Sequence, residues 1–539
     1  MSVLARPTAC EARVVQRAGG LRAAETVIRK EMLAVMSDRP TSPGTSRRGI
    51  RNSRQGRRGF LTVMGGAGAA LLAAACGGGS TTKPVPSATT AAIAPSLAGT
   101  AASRATAAPA AVATTPSGPV KVSTVTYLDA DTAPEEVAWH KKFEADFQAA
   151  FPQYRAEGSH YSNSADYLPK LQTTLATNSP LEMIWKDGNS TVDSLWDQGL
   201  LAPVNDVMED VYKSIGGKDK FDQTVVDRYT LPTGELIGVP YTAGFQVYWY
   251  RTDLLKEAGL TPPADHWDWN FLLKAAKATH KPPQVYGVAT PLGRNSSVVF
   301  LIGAFILNNG GHFLSQDLKD VVFDSPEVRE AVDMIKELAQ YAPPGATTWV
   351  SADQVNAIVH GGVAMGQYQG RVLANLITMN PAIMKNFGNT IIPYQKDPRT
   401  YGTPSAHGLF KGSSKNLAGA KELAKFGMHK DQMISWMRTA PGYYTAPVTA
   451  YNTDSSYLED PVLKAYAYDP SLLATIAKVN KYAYDFAKEG PGWNVNAKGG
   501  TLTGSLFLAD VVQKVVIGKE STASAVTWGA GQIRDIMKG

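Results

Sequence analysis

Residues 238–267, GVPYTAGFQVYWYRTDLLKEAGLTPPADHW, decide how the fold is read. Tyr248, Trp249 and Tyr250 follow one another in an extended segment, so their side chains alternate between the two faces of a strand and part of them must face a core. Leu254 and Leu255 come directly afterwards and supply an apolar stripe at helical spacing. The stretch therefore predicts a strand that is followed at once by a helix.

The sequence before this stretch repeats the same alternation. Residues 120–127 alternate β-branched with polar side chains and predict the first strand. Residues 135–150 carry apolar side chains at helical spacing among charged ones, and residues 167–175 do the same. Residues 181–185, LEMIW, predict a short buried strand. Strands that alternate with helices in this way indicate an α/β fold with a largely parallel sheet.

Beyond residue 76 the longest apolar run lies at residues 298–307, VVFLIGAFIL. Ten residues are too few to cross a bilayer, which takes about 20. The run ends at Asn308-Asn309-Gly310-Gly311, so it predicts a buried helix.

The first 76 residues are typical of an export signal. Residues 57–76, RRGFLTVMGGAGAALLAAAC, place Arg57 and Arg58 before an apolar stretch of roughly 15 residues, too short for a stable span. The arginine pair resembles a twin-arginine (Tat) signal, a class that exports folded proteins. Residues 72–76 resemble a bacterial lipobox, in which Cys76 would become the lipid-bearing N-terminus. Ala73 stands where the lipobox usually has Leu, and a plain secretory signal is the alternative.

Residues 77–119 predict a disordered tether. They consist almost entirely of Gly, Ser, Thr, Ala, Pro and Val, with Lys83 and Arg104 as the only charged residues. Such a segment has too little apolar surface to offset the entropy of ordering. A random coil of this length reaches roughly 35 Å on average, which suits a spacer between an anchor and a folded part.

Charge and cysteine content exclude several classes of function. Residues 1–76 hold 13 of the 53 Lys and Arg and 4 of the 47 Asp and Glu, so the rest has a net charge of −3, not the +6 of the whole chain. This balance excludes a basic nucleic-acid footprint. Cys10 and Cys76 are the only cysteines, so the later part has no thiol for a disulfide, a metal or a nucleophile. The 8 histidines show no HxH, HxxxH or HExxH spacing, and we expect no metal site and no cofactor.

Four blocks of sequence carry a resemblance to a known family. They are KKFE with FP at 141–152, SPLEMIW to GLLAPV at 179–204, the stretch at 238–267, and HGGVAM at 360–365 with SKN at 414–416. In this order they resemble the family 1 extracellular solute-binding proteins, sugar receptors of ABC importers that include maltose-binding protein. Arg251 replaces the Asn that is common in the third block. The resemblance implies a periplasmic-binding-protein-like α/β fold with two lobes, a hinge and a ligand cleft between them.

The resemblance also divides the chain. Residues 1–76 are expected to form the Tat-type lipoprotein signal segment and 77–119 the tether. The N-terminal lobe would comprise 120–242 and 394–440, and the C-terminal lobe 243–393 and 441–539.

The function implied is that of an exported substrate-binding lipoprotein, a non-enzyme, on the outer face of the cytoplasmic membrane. It would capture a mono- or oligosaccharide by lobe closure and deliver it to an ABC permease, and through the permease to its ATPase. We expect a monomer that touches the membrane only through its lipid anchor and binds no nucleic acid. An exported carbohydrate-active enzyme is one alternative, since aromatic rings and carboxylates also build glycosidase clefts. A ligand sensor on the same fold is another.

Sugars have apolar faces and polar rims, which aromatic rings, carboxylates, amides and arginine can match. Arg371 stands where the maltose receptor has a stacking Trp, and its guanidinium could bond hydroxyls or pair with an acidic sugar. Asp129 and Asp131 could equally form a solvated loop, and Trp185 could belong to the core. The pair Glu135-Glu136 is read as a solvated helix face. The residues that the resemblance implies in ligand binding are Asp129, Asp131, Trp185, Asp187, Asn189, Tyr241, Gln246, Gln367, Tyr368, Arg371, Tyr443 and Tyr444.

Overall fold

The computed structural model of the chain describes residues 122–161, 166–187, 191–264, 266–402, 404–412 and 415–538. The predicted signal segment with Arg57, Arg58 and Cys76, the predicted tether, and Asn189 lie outside these residues. The described residues belong to one compact unit, Val112–Gly539. Within it, strands and helices build two lobes, each around its own sheet.

The strands are short, and eleven of them follow one another along the described residues. In chain order they are β1 (Ser123–Asp129), β2 (Tyr154–His160), β3 (Met183–Asp187), β4 (Val239–Thr242), β5 (Gln246–Arg251), β6 (Tyr286–Val288), β7 (Val363–Gln369), β8 (Phe387–Thr390), β9 (Thr400–Tyr401), β10 (Ser405–Leu409) and β11 (Ala483–Tyr484).

The α-helices connect these strands and extend beyond them at the C-terminal end. They are α1 (Pro134–Ala150), α2 (Tyr167–Ala176), α3 (Thr191–Asp197), α4 (Asn205–Ile215), α5 (Gln223–Asp227), α6 (Thr252–Glu257), α7 (Trp269–Thr279), α8 (Ser296–Asn308), α9 (Pro326–Ala339), α10 (Ser351–Val359), α11 (Val372–Met379), α12 (Leu417–Gly427), α13 (Lys430–Met437), α14 (Ser455–Leu458), α15 (Pro461–Lys464), α16 (Ser471–Lys478), α17 (Gly499–Ser505), α18 (Phe507–Val516) and α19 (Thr522–Lys538).

The first lobe is built on a five-stranded sheet in the order β2-β1-β3-β10-β4. β1 runs parallel to β2 and β3, whereas β10 runs antiparallel to β3 and β4. The second lobe has a four-stranded sheet in the order β6-β7-β5-β8, in which β5 runs antiparallel to both of its neighbours. The predicted two-lobed α/β fold is confirmed. The predicted parallel pairing holds for β1 to β3 and is wrong for β5 and β10, because both strands enter their sheets from the connections between the lobes.

Helices cover both faces of each sheet, as strands with apolar residues on both sides require. In the first lobe, Val125 and Leu128 of β1 belong to two different core clusters, one on each face. In the second lobe, Tyr248 packs in one core cluster and Trp249 in another. The alternation that residues 248–250 predict is therefore confirmed.

The helix around residues 298–307 is confirmed as a buried element. α8 begins after Asn295, whose side chain accepts a hydrogen bond from the Ser297 N–H at 3.0 Å and so caps a free backbone donor. Its residues from Leu301 to Asn308 are all buried. Among the residues that the structure describes, no helix combines the length and the hydropathy that crossing a bilayer needs.

The lobes are joined at a hinge where two connections pair with each other. Ala243, between β4 and β5, exchanges two backbone hydrogen bonds with Thr445, at 2.9 and 2.7 Å. After the hinge, Val448, Tyr457 and Leu463 pack in a core cluster of the first lobe. The bounds of the lobes that the sequence implies stay a prediction.

Candidate ligand-binding site

A cavity of about 190 Å³ lies between the two lobes, next to the hinge. On the first lobe, it is bordered by the carboxyl ends of β1 and β3, the place where open α/β sheets bind ligands. On the second lobe it is bordered by the start of β5, the end of β7 and one side of α8. The lining residues are Ala130, Asp131, Lys186, Asp187, Thr242, Gly244, Phe245, Gln246, Phe300, Gln369, Tyr401, Gly402, Ser405, Tyr443 and Tyr444.

Five residues that the resemblance implies in binding line this cavity. They are Asp131, Asp187, Gln246, Tyr443 and Tyr444. They come from a β1 loop, β3, β5 and the hinge, so the fold brings together residues that are far apart in sequence. Their contact with a ligand stays a prediction.

Other implied residues lie behind the cavity wall. Trp185 and Tyr241 are both 0% exposed, and their ring centroids lie 5.1 Å apart in the first-lobe core. Gln367 is also buried and donates its side-chain N–H to the Gln246 side-chain oxygen. Tyr368 packs against a core cluster of the second lobe. Trp185, Tyr241 and Gln367 are buried and therefore support the cavity wall in this conformation, whereas Tyr368 is partly exposed and does not line the cavity.

Lys186 is central to the cavity and was not predicted from the sequence. Its side chain is only 7% exposed, and its ammonium group forms an ion pair with Asp131. It also lies 5.2 Å from the ring centroids of both Trp436 and Tyr444, within the range of a cation–π contact. The Tyr444 hydroxyl lies 3.0 Å from the Asp131 carboxylate and 2.8 Å from that of Glu136. One side of the cavity is therefore a connected network of charges and rings.

The prediction that Glu135 and Glu136 form a solvated pair is wrong for Glu136. Only Glu135 is exposed, whereas Glu136 is 3% exposed and faces the cavity network. The signal was its helical spacing from Trp139 and His140, three and four residues further on, which share its buried face. Arg371 of the second lobe lies 3.8 Å from the Glu136 carboxylate, so this contact crosses between the lobes.

Arg371 does not line the cavity but stands at its edge. Its guanidinium carbon lies 4.6 Å from the ring centroid of Tyr443, which does line the cavity. The ring of Tyr443 is in turn 4.7 Å from that of Tyr444 and nearly perpendicular to it. The arginine thus holds one cavity ring in place from the second lobe.

Burial and charge together set the protonation of these groups. Burial opposes the charge on Lys186, but Asp131, Asp129 and Glu136 outweigh it and raise the pKa above its usual value. Burial, and then the nearby Asp131, raise the pKa of Glu136. Lys186 is therefore protonated and positively charged at neutral pH. The cavity offers one cationic donor, several carboxylate and amide acceptors, and aromatic faces.

Asp129 lies beneath the cavity in a cluster with two histidines. Its Oδ2 is 3.0 Å from His140 Nε2 and 3.2 Å from His160 Nδ1. One ligand atom from each of the three residues lies within 4.8 Å of the other two, a spacing suited to a metal ion. The residues come from β1, α1 and β2. Short-range spacing along the chain, on which the expectation of no metal site rests, cannot detect such a cluster.

The chain is similar to a known family and to known proteins. The profile of the family described as "Bacterial extracellular solute-binding protein" matches residues 129–434. A curated relative from Escherichia coli strain K12, named "Putative ABC transporter periplasmic-binding protein YcjN", is 24% identical over 292 residues, which is 54% of this chain and 64% of the relative. The match thus spans less than two thirds of that relative's length.

Solved structures show the same fold. An ABC transporter solute-binding protein from Thermotoga lettingae with bound α-D-tagatose has a TM-score of 0.62 at 18% identity, covering 77% of this chain and 99% of that one. A sugar transporter protein from Arthrobacter chlorophenolicus with bound laminaribiose also scores 0.62, at 20% identity and with the same two coverages. A solute-binding protein from Agrobacterium radiobacter in complex with ribitol scores 0.61 at 18% identity, covering 78% of this chain and 100% of that one.

Proposed function

Because the chain belongs to the family of bacterial extracellular solute-binding proteins, whose profile matches residues 129–434, we propose that it captures a carbohydrate and delivers it to an ABC importer. The observation that carries this proposal is the cavity between the two lobes, which is lined by charged groups from the first lobe, by amide groups from the second, and by aromatic rings. A ligand held there contacts both lobes at once.

The lining chemistry suits a sugar. Phe245, Phe300, Tyr401 and Tyr443 bring ring faces and edges that can pack on the apolar face of a pyranose. Carboxylate, ammonium and amide groups beside them can satisfy hydroxyl groups in both hydrogen-bonding roles. The cavity of about 190 Å³ is smaller than the roughly 300–1,000 Å³ of drug-sized pockets. This size favours a mono- or disaccharide.

Capture works through lobe closure. A ligand that binds only when both walls are in place shifts the population towards the closed form by its differential affinity. Contacts that cross the cleft, such as the one between Glu136 and Arg371, further stabilise the closed form. The permease would then recognise the closed arrangement of the lobes.

A binding role agrees better with the cavity carboxylates than an enzymatic one. A glycosidase needs one carboxyl group as acid and a second as base or nucleophile, each free to reach the glycosidic bond. Asp131 is instead paired with Lys186, and the Tyr444 hydroxyl lies within hydrogen-bond distance of both Asp131 and Glu136. We therefore propose that the protein does not hydrolyse its ligand.

The finer points of location rest on the sequence. We propose export through the signal at Arg57 and Arg58, lipidation of Cys76 and a position on the outer face of the cytoplasmic membrane. Residues 77–119 would then let a monomeric head reach the permease from its anchor.

A thermal-shift and calorimetric screen of mono- and disaccharides and polyols tests the function. A sugar that binds only the folded state at 100 times its dissociation constant adds about 2.7 kcal/mol of stability and raises the melting temperature. Tyr443→Ala should abolish this rise, whereas Tyr468→Ala, an exposed tyrosine outside the cavity, should preserve it. Silence across the whole panel, or release of reducing ends from the sugars, would contradict the proposal.

A further inference from the structure

The hydrogen bonds around His140 determine which of its ring nitrogens carries a proton. The Glu144 carboxylate accepts from the Gly158 N–H at 2.7 Å and from the Tyr127 hydroxyl at 2.9 Å. The only proton of the Tyr127 hydroxyl is used in that bond. His140 Nδ1, 2.8 Å from the same hydroxyl oxygen, must therefore be the donor of their contact.

In a neutral His140 ring, Nε2 then has a lone pair, and this lone pair faces an acceptor. Asp129 Oδ2 lies 3.0 Å away, and His160 Nδ1 lies 3.2 Å from the same oxygen. Asp129 Oδ1 is buried and has no hydrogen-bond partner among the described residues. Two acceptors at this distance require either a proton shared between them or a metal ion.

The negative charge around the cluster favours a metal ion over a proton. Carboxylates outnumber the basic side chains around the cluster, even though Lys186 and Arg371 each contribute one positive charge. A divalent ion offsets more of this excess than a single proton does. The carboxylates concerned are those of Asp129, Asp131, Glu136, Glu144 and Asp187.

We propose that Asp129, His140 and His160 bind one divalent transition-metal ion, for which zinc is the probe. Tetrahedral zinc with bonds of about 2.0–2.2 Å places its ligand atoms about 3.3–3.6 Å apart. The observed 3.0 and 3.2 Å are slightly shorter, so the side chains need to move apart only by a few tenths of an ångström to admit the ion. Two imidazoles and one carboxylate suit zinc and its neighbours better than magnesium or calcium.

The surroundings of the cluster fit a metal site in two further ways. The second ring nitrogen of His140 is held by Tyr127 and, through it, by Glu144, and such outer contacts typically orient a metal-binding histidine. The side chain of His160 is 16% exposed, whereas those of Asp129 and His140 are fully buried. An ion and a water ligand can therefore enter from the His160 side. The bound ion would join β1, β2 and α1 beneath the cavity.

The test uses the full chain without an affinity tag, freed of metal by a chelator and then titrated with zinc chloride. We expect one equivalent of zinc by calorimetry and elemental analysis. His160→Gln should weaken binding at least tenfold, whereas His360→Gln, at an exposed histidine outside the cluster, should leave it unchanged. His160 is preferred to His140 for substitution because its partial exposure makes loss of folding less of a concern, and circular dichroism checks this.

Visible absorption of bound cobalt provides a second test. It changes only if His160 is a ligand of the ion, and not if His160 merely stabilises the fold. A cobalt-loaded chain should show visible absorption typical of tetrahedral nitrogen and oxygen ligation, and His160→Gln should lose it while remaining folded. Absence of stoichiometric zinc binding in the native chain would overturn the proposal. Equal zinc affinity of the His160 and His360 variants would also overturn it, because the ion would then bind elsewhere.

Discussion

Replacing Lys186 with methionine removes the one ammonium group in the cavity network and keeps the apolar length of the side chain. In the native chain this group is ion-paired with Asp131 and is further stabilised by Asp129 and Glu136. The variant would leave three carboxylates close together in a mostly buried place, with Arg371 beside Glu136 but no ammonium group beside Asp131. We therefore expect Lys186→Met to destabilise the first lobe.

The size of this effect follows from the general energetics of buried ion pairs. Unit charges about 4 Å apart interact by about 4 kcal/mol at an effective dielectric constant of about 20. Removal of one partner of a buried ion pair costs about 3–5 kcal/mol. We expect a loss of about 3–4 kcal/mol in the free energy of unfolding, a large part of the roughly 5–15 kcal/mol typical of folded proteins. Asp131→Asn should cost less, about 1–2 kcal/mol, because Lys186 keeps two carboxylates nearby.

A double-mutant cycle separates the pair from its surroundings. Urea unfolding followed by tryptophan fluorescence should show that the double variant loses about 2 kcal/mol less than the sum of the single variants. Lys336→Met, at an exposed lysine of α9, should change stability by less than about 0.5 kcal/mol. A loss below about 1 kcal/mol for Lys186→Met, or single effects that simply add, would refute the reasoning.

Three further predictions concern the hinge, the first-lobe core and the cleft. A Cβ at Gly370 would overlap the Gly442 carbonyl oxygen, so Gly370→Ala should cost about 1–3 kcal/mol in thermal unfolding. Gly531→Ala, in open space on α19, should instead gain up to about 1 kcal/mol. Burial holds the pKa of His407 well below its usual 6.5, so only the unfolded chain gains this proton, and stability is lost as the pH falls below about 6.5. Urea midpoints should show that the native chain loses about 1.4 kcal/mol more than His407→Asn between about pH 7.5 and 5.5; an equal loss would contradict this. Arg371→Met removes a partly exposed contact across the cleft and should weaken sugar binding by about two- to fivefold in calorimetry. The effect should be smaller at high salt, which screens the charges. An unchanged affinity at low salt would contradict this prediction.

Local patterns in the sequence were sufficient to predict several helices and strands and the α/β fold class. Apolar spacing predicted the helix at 298–307, and residue alternation predicted that Tyr248 and Trp249 face different cores. Both features depend on near neighbours in the chain, whose geometry is fixed by the element itself. The direction of β5 and β10 depends instead on where the chain crosses between lobes, and local pattern does not carry that information.

The same limit applies to the site. Lys186 lies between Trp185 and Asp187, and strict alternation in β3 would simply place it on the opposite face. Its backbone has φ of +34°, and the pairing of β10 with β3 is irregular between Ala406 and Gly408, opposite this point. Such a local irregularity redirects a side chain and leaves no mark in the hydrophobic pattern.

The cluster of one aspartate and two histidines could not be predicted from local sequence patterns either. Asp129, His140 and His160 converge only because β2 pairs with β1 and α1 packs against β2. No spacing along the chain reports this convergence.

Closure on a sugar can be measured directly between two spin labels. Cysteine is introduced at Lys141 on α1 and at Lys336 on α9, both exposed, in a chain whose Cys10 and Cys76 are replaced by serine. Double electron–electron resonance then gives the distance between the lobes with and without a saturating sugar from the binding screen. Capture between the lobes predicts a shift to shorter and more narrowly distributed distances when the sugar binds. A distribution that stays the same while calorimetry shows the sugar bound would contradict it.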